Sequence, residues 1–91
     1  MAAQQYRIVS GADSTIHGEP HVEGSRITVR DIQQRVEERD LAPERVAERY
    51  DLDLGVLYEA LAYYHANPEE MREAEERHDW AVSEAINRST I

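Results

Sequence analysis

The rhythm of apolar and polar positions along this chain changes near residue 28. Before that point short apolar runs alternate with turn residues. Tyr6-Arg7-Ile8-Val9 is a β-prone run and Ser10-Gly11-Ala12-Asp13-Ser14 reads as a turn. Thr15-Ile16-His17 and His21-Val22-Glu23 are further strand segments, with Gly18-Glu19-Pro20 turning between them. From Thr28 the period becomes helical. Thr28 followed by Asp31 makes a capping-box-like start, and Ile27, Val29, Ile32 and Val36 recur at helical spacing, predicting a helix to about residue 39. Asp40-Leu41-Ala42 breaks it. Pro43, whose missing N–H costs nothing at a first helical position, opens a second helix over 43–50 with Val46, Ala47 and Tyr50 on one side. Asp51-Leu52-Asp53 is a second break, and Asp53 is placed as the N-cap of a third helix over 54–66. That helix is expected to bury Leu54, Leu57, Tyr58, Leu61 and Tyr64 or His65.

Asn67-Pro68-Glu69-Glu70 is the strongest local signal. It combines a capping Asn, a Pro at the first position and two carboxylates at the positive end of the helix dipole. A fourth helix is predicted from 68 to about 86. At 100° per residue, Met71, Ala74, His78, Ala81, Val82, Ala85 and Ile86 share one face and Trp80 lies opposite Met71. The fold class that follows is mainly α: a short N-terminal β arm or hairpin, a body of three helices and a fourth, C-terminal helix. At 91 residues this is one domain with a thin core, 41% of its residues being hydrophobic, so oligomerisation is an expected source of extra burial.

Composition removes several function classes. With no cysteine there is no disulfide scaffold, thiol nucleophile or Cys-ligated metal. No apolar run approaches the ~20 residues of a membrane span. The N-terminal segment lacks the basic-then-apolar layout of a signal peptide, so a cytoplasmic protein without membrane association is expected. The net charge is −9, and all ten basic residues are Arg. Abundant carboxylates without lysine fit a cytoplasm of very high salt, where screening relieves the self-repulsion.

The second and third predicted helices have the outline of a helix-turn-helix, which would place 54–66 in the major groove of DNA. Its outward candidates would be Gly55, Val56, Glu59 and Tyr63, and no Arg, Asn or Gln precedes Asn67 to read base edges. Residues 28–67 carry five Arg against nine carboxylates, yet Arg26, Arg30, Arg35, Arg39, Arg45 and Arg49 are dense within a stretch of 24 residues. A helix-turn-helix shape used only for packing therefore stands beside one that binds phosphates. His17, Glu19 and His21 could bring three metal ligands together, but Gly18 and Pro20 argue for a turn, and no metal site or cofactor is expected. His65 and His78 are expected to be buried by packing. Adjacent carboxylates such as Glu37-Glu38 and Glu75-Glu76 point about 100° apart on a helix and make no dyad, so no catalysis is expected. The apolar face of the fourth helix suits docking on its own domain, a twin subunit or another protein, and Trp80 opposite it suits a contact anchor.

Three segments then point in one direction. Residues 18–32 read GEPHVEGSRITVRDI, residues 41–50 read LAPERVAERY and residues 52–64 read LDLGVLYEALAYY. In this order they resemble the motifs GxPxxxGTRITVxDI, xSPEEIAxxYP and LTxxxVxxALAYY of the domain of unknown function 433 family. The resemblance covers about residues 6–70. It implies a family domain over 1–70, with a β arm at 6–27 and a homeodomain-like or winged-helix-like helix-turn-helix body at 28–67, and it leaves 68–91 as an acidic partner-binding or dimer-docking helix. It further implies a homodimer and a non-enzymatic antitoxin of VapB type, paired with a PIN-like ribonuclease toxin and able to bind operator DNA of its own operon. On that reading Arg26, Arg30, Arg35, Arg45, Arg49 and Tyr58 would face DNA, with Arg26 and Gly24 also holding the arm to the body. Met71, Arg72, Arg77, Trp80 and Val82 would face the toxin. Ser25 replaces the usual Thr, Ala42 stands where a capping Ser is common, and Glu59 on an Arg-free helix weakens base reading. The alternative is a structural dimerisation module without a nucleic-acid role.

Overall fold

The computed structural model describes residues 8–14 and 18–89. Strands β1 (Ile8–Val9) and β2 (His21–Val22) pair antiparallel, Ile8 opposite Val22 and Val9 opposite His21. A single 3₁₀ turn, Gly11–Asp13, follows β1. Helix α1 (Val29–Gln33) runs on as a π-helical segment, Gln34–Glu38, and is followed by α2 (Pro43–Tyr50), α3 (Leu54–Ala66) and α4 (Pro68–Ser89). The molecule is thus mainly helical, with a short N-terminal two-stranded sheet. The predicted strand at Thr15-Ile16-His17, and the Tyr6-Arg7 half of the first, lie outside the described residues.

The stretch from Pro20 to Val29 is a tight reversal that joins the sheet to α1. Val22 N–H donates to Ile27 O at 2.9 Å and Val29 N–H to Pro20 O at 3.0 Å. Gly24 sits at φ +76°, a left-handed conformation that side-chain-bearing residues rarely adopt. The Ser25 hydroxyl donates to Val22 O and accepts from Ile27 N–H, both at 3.0 Å, so it closes the turn from inside. Thr28 then caps α1, its hydroxyl accepting from Asp31 N–H at 3.0 Å.

Helix ends match their local signals. Arg39 N–H reaches back five residues to Gln34 O at 2.9 Å, the wider turn that ends α1. Asp40 and Asp51, each at φ 55°, take the left-handed position at which helices commonly stop. Pro43 begins α2, with Ala42 at the N-cap providing no side-chain bond. Asp53 occupies the N-cap of α3, but its carboxylate does not cap the helix. Asn67 serves two helices: its carbonyl accepts from Met71 N–H at 3.0 Å, and its side-chain amide donates back to Tyr63 O at 3.0 Å.

The core lies between α1 and α3. Val29 and Ile32 of the first, and Leu57 and Ala60 of the second, are fully buried, with Val46 and Ala47 of α2, Val22 of β2 and Met71 of α4 around them. The inward stripe of α3 is therefore Val56, Leu57 and Ala60, rotated from the expected one. Leu54, Tyr58 and His65 are exposed. A small residue at 60 lets α1 approach closely, and the large amphipathic Tyr58 turns outward. His78 is exposed as well; the expected burial of both histidines is corrected. His65 Nε2 instead lies 2.9 Å from the Glu37 carboxylate.

The sheet segment is strapped to the helices. Pro20, His21 and Val22 are buried. Glu70, in the first turn of α4, accepts from Gly11 N–H at 2.9 Å and from the Tyr63 hydroxyl, joining the 3₁₀ turn, α3 and α4 at one carboxylate. A Cβ on Gly11 would stand 2.5 Å from that carboxylate and 2.6 Å from Gly18 O, so only glycine fits. Gly11→Ala is expected to lower stability by about 1–3 kcal/mol in thermal unfolding, because backbone as well as side chain must give way. Burial and the Glu70 hydrogen bond push the Tyr63 phenol up from its ordinary value near 10 to about 12. Between those values the unfolded chain binds fewer protons than the folded one, so stability falls as pH rises through this window. Burial, followed by carboxylates, moves Tyr50 and Tyr64 in the same direction. Tyr63→Phe should therefore flatten, without abolishing, the alkaline fall in denaturant midpoint.

Candidate functional site

Three of the six side chains expected at DNA meet in one place. The end of α1 and the outer side of α2 enclose an open groove of about 630 Å³ lined by Arg35, Arg45 and Arg49, with Leu41, Ala42 and Val46 as apolar floor and Asp40 and Glu48 at its margins. Arg45 and Arg49 are one helical turn apart on α2 and both exposed. Arg35 is held from behind. Its Nε lies 3.4 Å from Asp31 Oδ1, and its guanidinium carbon is 5.3 Å from the centre of the Tyr50 ring. Tyr50 in turn donates to Asp31 Oδ2 at 2.7 Å. One carboxylate and one aromatic ring thus set the direction of this guanidinium, leaving donors for an anion.

The other three stand apart. Arg30 donates through Nε to Glu19 Oε1 at 2.8 Å, with Nη2 3.5 Å from Oε2, and both side chains are nearly nine-tenths buried. This arginine ties the segment before β2 to α1. Arg26 is exposed on the turn between β2 and α1, and Tyr58 is 49% exposed on α3. The outward face of α3 presents Leu54, Gly55, Tyr58 and Ala62. Val56, expected to point outward, is buried, and Tyr63 is half-buried with its hydroxyl on Glu70.

Glu19 and His21 both carry structural bonds. The Glu19 carboxylate belongs to Arg30, while His21, 7% exposed, has Nδ1 at 2.8 Å from the Ser14 hydroxyl and 3.3 Å from Glu19 O. His17 lies outside the described residues. Among the described residues no three His, Asp or Glu side chains are grouped to hold a metal ion.

Helix α4 offers the second surface. Met71 is 3% exposed and belongs to the core, so its expected place at a partner is corrected. The apolar stripe of α4 begins inside the body, and Met71 is its root. Arg72 lies between Glu69 at 2.9 Å and Glu76 at 2.8 Å along the exposed side. Arg77 donates to Gly18 O at 3.1 Å. Past this point the helix runs clear: Trp80 is 67% exposed, Val82 44% and Ile86 57%. A groove of about 460 Å³ follows the stripe, between Glu19 on one side and Ala74, His78, Ala81, Val82 and Ala85 on the other. No helix of the described residues is long and apolar enough to cross a membrane.

Sequence spacing found the arginines of the groove but not their separation from Arg30. The missed partner, Glu19, lies eleven positions away, where no helical or strand period connects the two. The distinction is measurable. Arg30→Met should lower stability by about 3 kcal/mol, since it leaves a buried carboxylate unpaired. Arg45→Ala and Arg49→Ala should stay within about 0.5 kcal/mol of the parent in the same thermal unfolding series.

A family model described as "Protein of unknown function (DUF433)" matches residues 12–64, from the 3₁₀ turn through most of α3. No curated protein and no solved structure matches the chain. The matched span contains the reversal at Gly24, the Glu19–Arg30 pair and the arginine groove, and it ends before α4 begins. The chain belongs to the DUF433 family.

Proposed function

We propose that this protein is a non-enzymatic antitoxin-like adaptor, a homodimer that binds a PIN-like ribonuclease toxin through α4 and its own operator DNA through the helical body. The observation that carries the reading is α4 itself. It leaves the body after Ala74 and holds Trp80 67% exposed on one side, with Val82 and Ile86 exposed on the other. An exposed Trp on a rigid helix is the side chain most often found to anchor a protein contact. Arg72 lies beside it on the same helix and supplies donors for the carboxylates of a metal-dependent nuclease.

In the body, α2, the turn 51–53 and α3 are read as the helix-turn-helix, and the β1–β2 pair as a short wing. Arg35, Arg45 and Arg49 supply phosphate contacts. Tyr58 is the exposed aromatic of α3, and Arg26 a further cation on the turn before α1. Since α3 carries no Arg, Asn or Gln, binding on this reading rests on backbone contacts more than on base edges, and it weakens steeply with salt. The net charge of −9 favours a second reading, a protein-interaction module without nucleic acid, located in the cytoplasm in either case.

Co-expression with the reading frame adjacent to the gene should yield a stable complex whose ribonuclease activity is suppressed. Trp80→Ala should weaken that complex about thirtyfold, the effect of losing roughly 2 kcal/mol at an anchor. Fluorescence anisotropy against the upstream promoter, titrated over KCl, should show binding that Arg45→Ala and Arg49→Ala each reduce along with the salt slope. A complex unaffected by Trp80→Ala, or no complex, refutes the toxin half. No anisotropy change at any salt concentration that preserves the fold selects the second reading.

A further inference from the structure

The stripe on α4 has a register that the rest of the molecule does not use. Met71, His78 and Ala85 recur every seven residues, with Ala74 and Ala81 at the intervening positions. These are the a and d positions of a heptad. Arg77 and Glu84 then both occupy g. Arg77 borders the groove beside the stripe; Glu84 is half-buried on the same flank. In an antiparallel helix pair, an a residue faces d of the other copy and g faces g.

We infer that α4 pairs antiparallel with α4 of a second copy of this chain, His78 facing Ala81, so that Ala85 of the second copy comes to the edge of the body at Ala74, itself only 2% exposed. Two-fold symmetry repeats every contact, so Arg77 meets Glu84 of the second copy twice. Charge selects this arrangement among its neighbours. Sliding by one heptad to set Ala81 against Ala85 puts Glu84 against its own equivalent. A parallel pair puts Glu70 against Glu75 and leaves Arg77 facing Val82. Only the antiparallel register with His78 at Ala81 gives the g positions opposite signs.

The shape agrees. The exposed alanines at 81 and 85 let two helix backbones come close, and the groove between Glu19 and α4 lies where the second helix enters. The two bodies then lie at opposite ends of the pair. Arg77 keeps its bond to Gly18 O through one amino group, with four guanidinium donors left for the carboxylate. Trp80 lies about 180° from the root of the stripe, so it stays on the outer side of both helices. The pairing rests on the homodimer of the proposed function and gives it an interface; it takes Arg77 into the seam and leaves Trp80 and Arg72 for the toxin, so a dimer indifferent to the charge variants refutes the pairing alone.

Sedimentation equilibrium of the full chain, in KCl at which circular dichroism shows intact helices, tests this. The parent should be a dimer. Arg77→Glu places two like-charged pairs at the seam, as does Glu84→Arg, and each should raise the dimer Kd at least about tenfold. Mixing these two variants should restore a mixed dimer, because each then supplies what the other lacks. Ala81→Glu, on the seam itself, should abolish dimerisation at every salt concentration, while Trp80→Ala leaves Kd unchanged. A monomeric parent, charge variants that dimerise like the parent, or a mixture that stays monomeric each overturns the pairing.

Discussion

A single carboxylate decides where the long helix points. Glu70 takes the Gly11 N–H with one oxygen and the Tyr63 hydroxyl with the other, so the start of α4 is fixed to both the N-terminal turn and α3. Its place two residues after Pro68 also puts negative charge at the positive end of α4. Among the described residues of α4, the buried apolar side chains are Met71 and, at the edge, Ala74. A helix of 22 residues anchored over so short a length would swing without a directional bond at its root. Both surfaces proposed for α4 inherit their orientation from this group and from the Arg77–Gly18 O bond two turns further on.

The same economy runs through the body. A core of Val, Ile, Leu and Ala between α1 and α3 leaves little to hold the two-stranded sheet, and the chain uses charge and hydrogen bonds for the purpose. The Glu19–Arg30 pair is nearly dry, and the Ser25 hydroxyl bridges both sides of the turn at Gly24. Such directional contacts specify one arrangement where apolar burial alone would tolerate several. They also explain the unequal use of arginine. Arg30 is committed to the fold, whereas Arg45 and Arg49 extend from α2 next to Arg35, and Asp31 and Tyr50 hold only Arg35.

Local signals were legible to the residue. Pro43, the breaks at 51–53 and Pro68 delimit α2, α3 and the start of α4, because proline geometry and helix termination are decided within a few residues. Thr28 caps α1 for the same reason. What failed depended on neighbours. The face of α3 is chosen by how closely α1 approaches, and that approach selects Ala60 over Tyr58, two positions that periodicity alone weighs the other way. Met71 lies past the family motifs, so nothing in the sequence marks the first turn of α4 as covered; the body covers it. His78 shares the stripe with Met71 yet is exposed, because the body ends before it. Glu70 read as a dipole charge, and its two acceptor bonds span contacts that no spacing encodes.

Helix α4 therefore has to be judged by its two sides separately. An apolar stripe that begins in the core and continues uncovered for three turns is a strip of interior without its other half, and burial is what a 91-residue chain with this composition most lacks. The stripe is narrow and rich in alanine, which limits its occupant to something that can approach as closely as a second helix. Trp80 belongs to the opposite side, with Glu73 and Glu76 at helical spacing, where a wide aromatic surface suits a partner of different shape. If the stripe were taken by that partner, Trp80 would be left in solvent. If Trp80 were the seam between copies, the carboxylates around it would face their own equivalents. Assigning the stripe to a second copy and Trp80 to a foreign protein avoids both costs, and it leaves the arginine groove on α2 outside either contact.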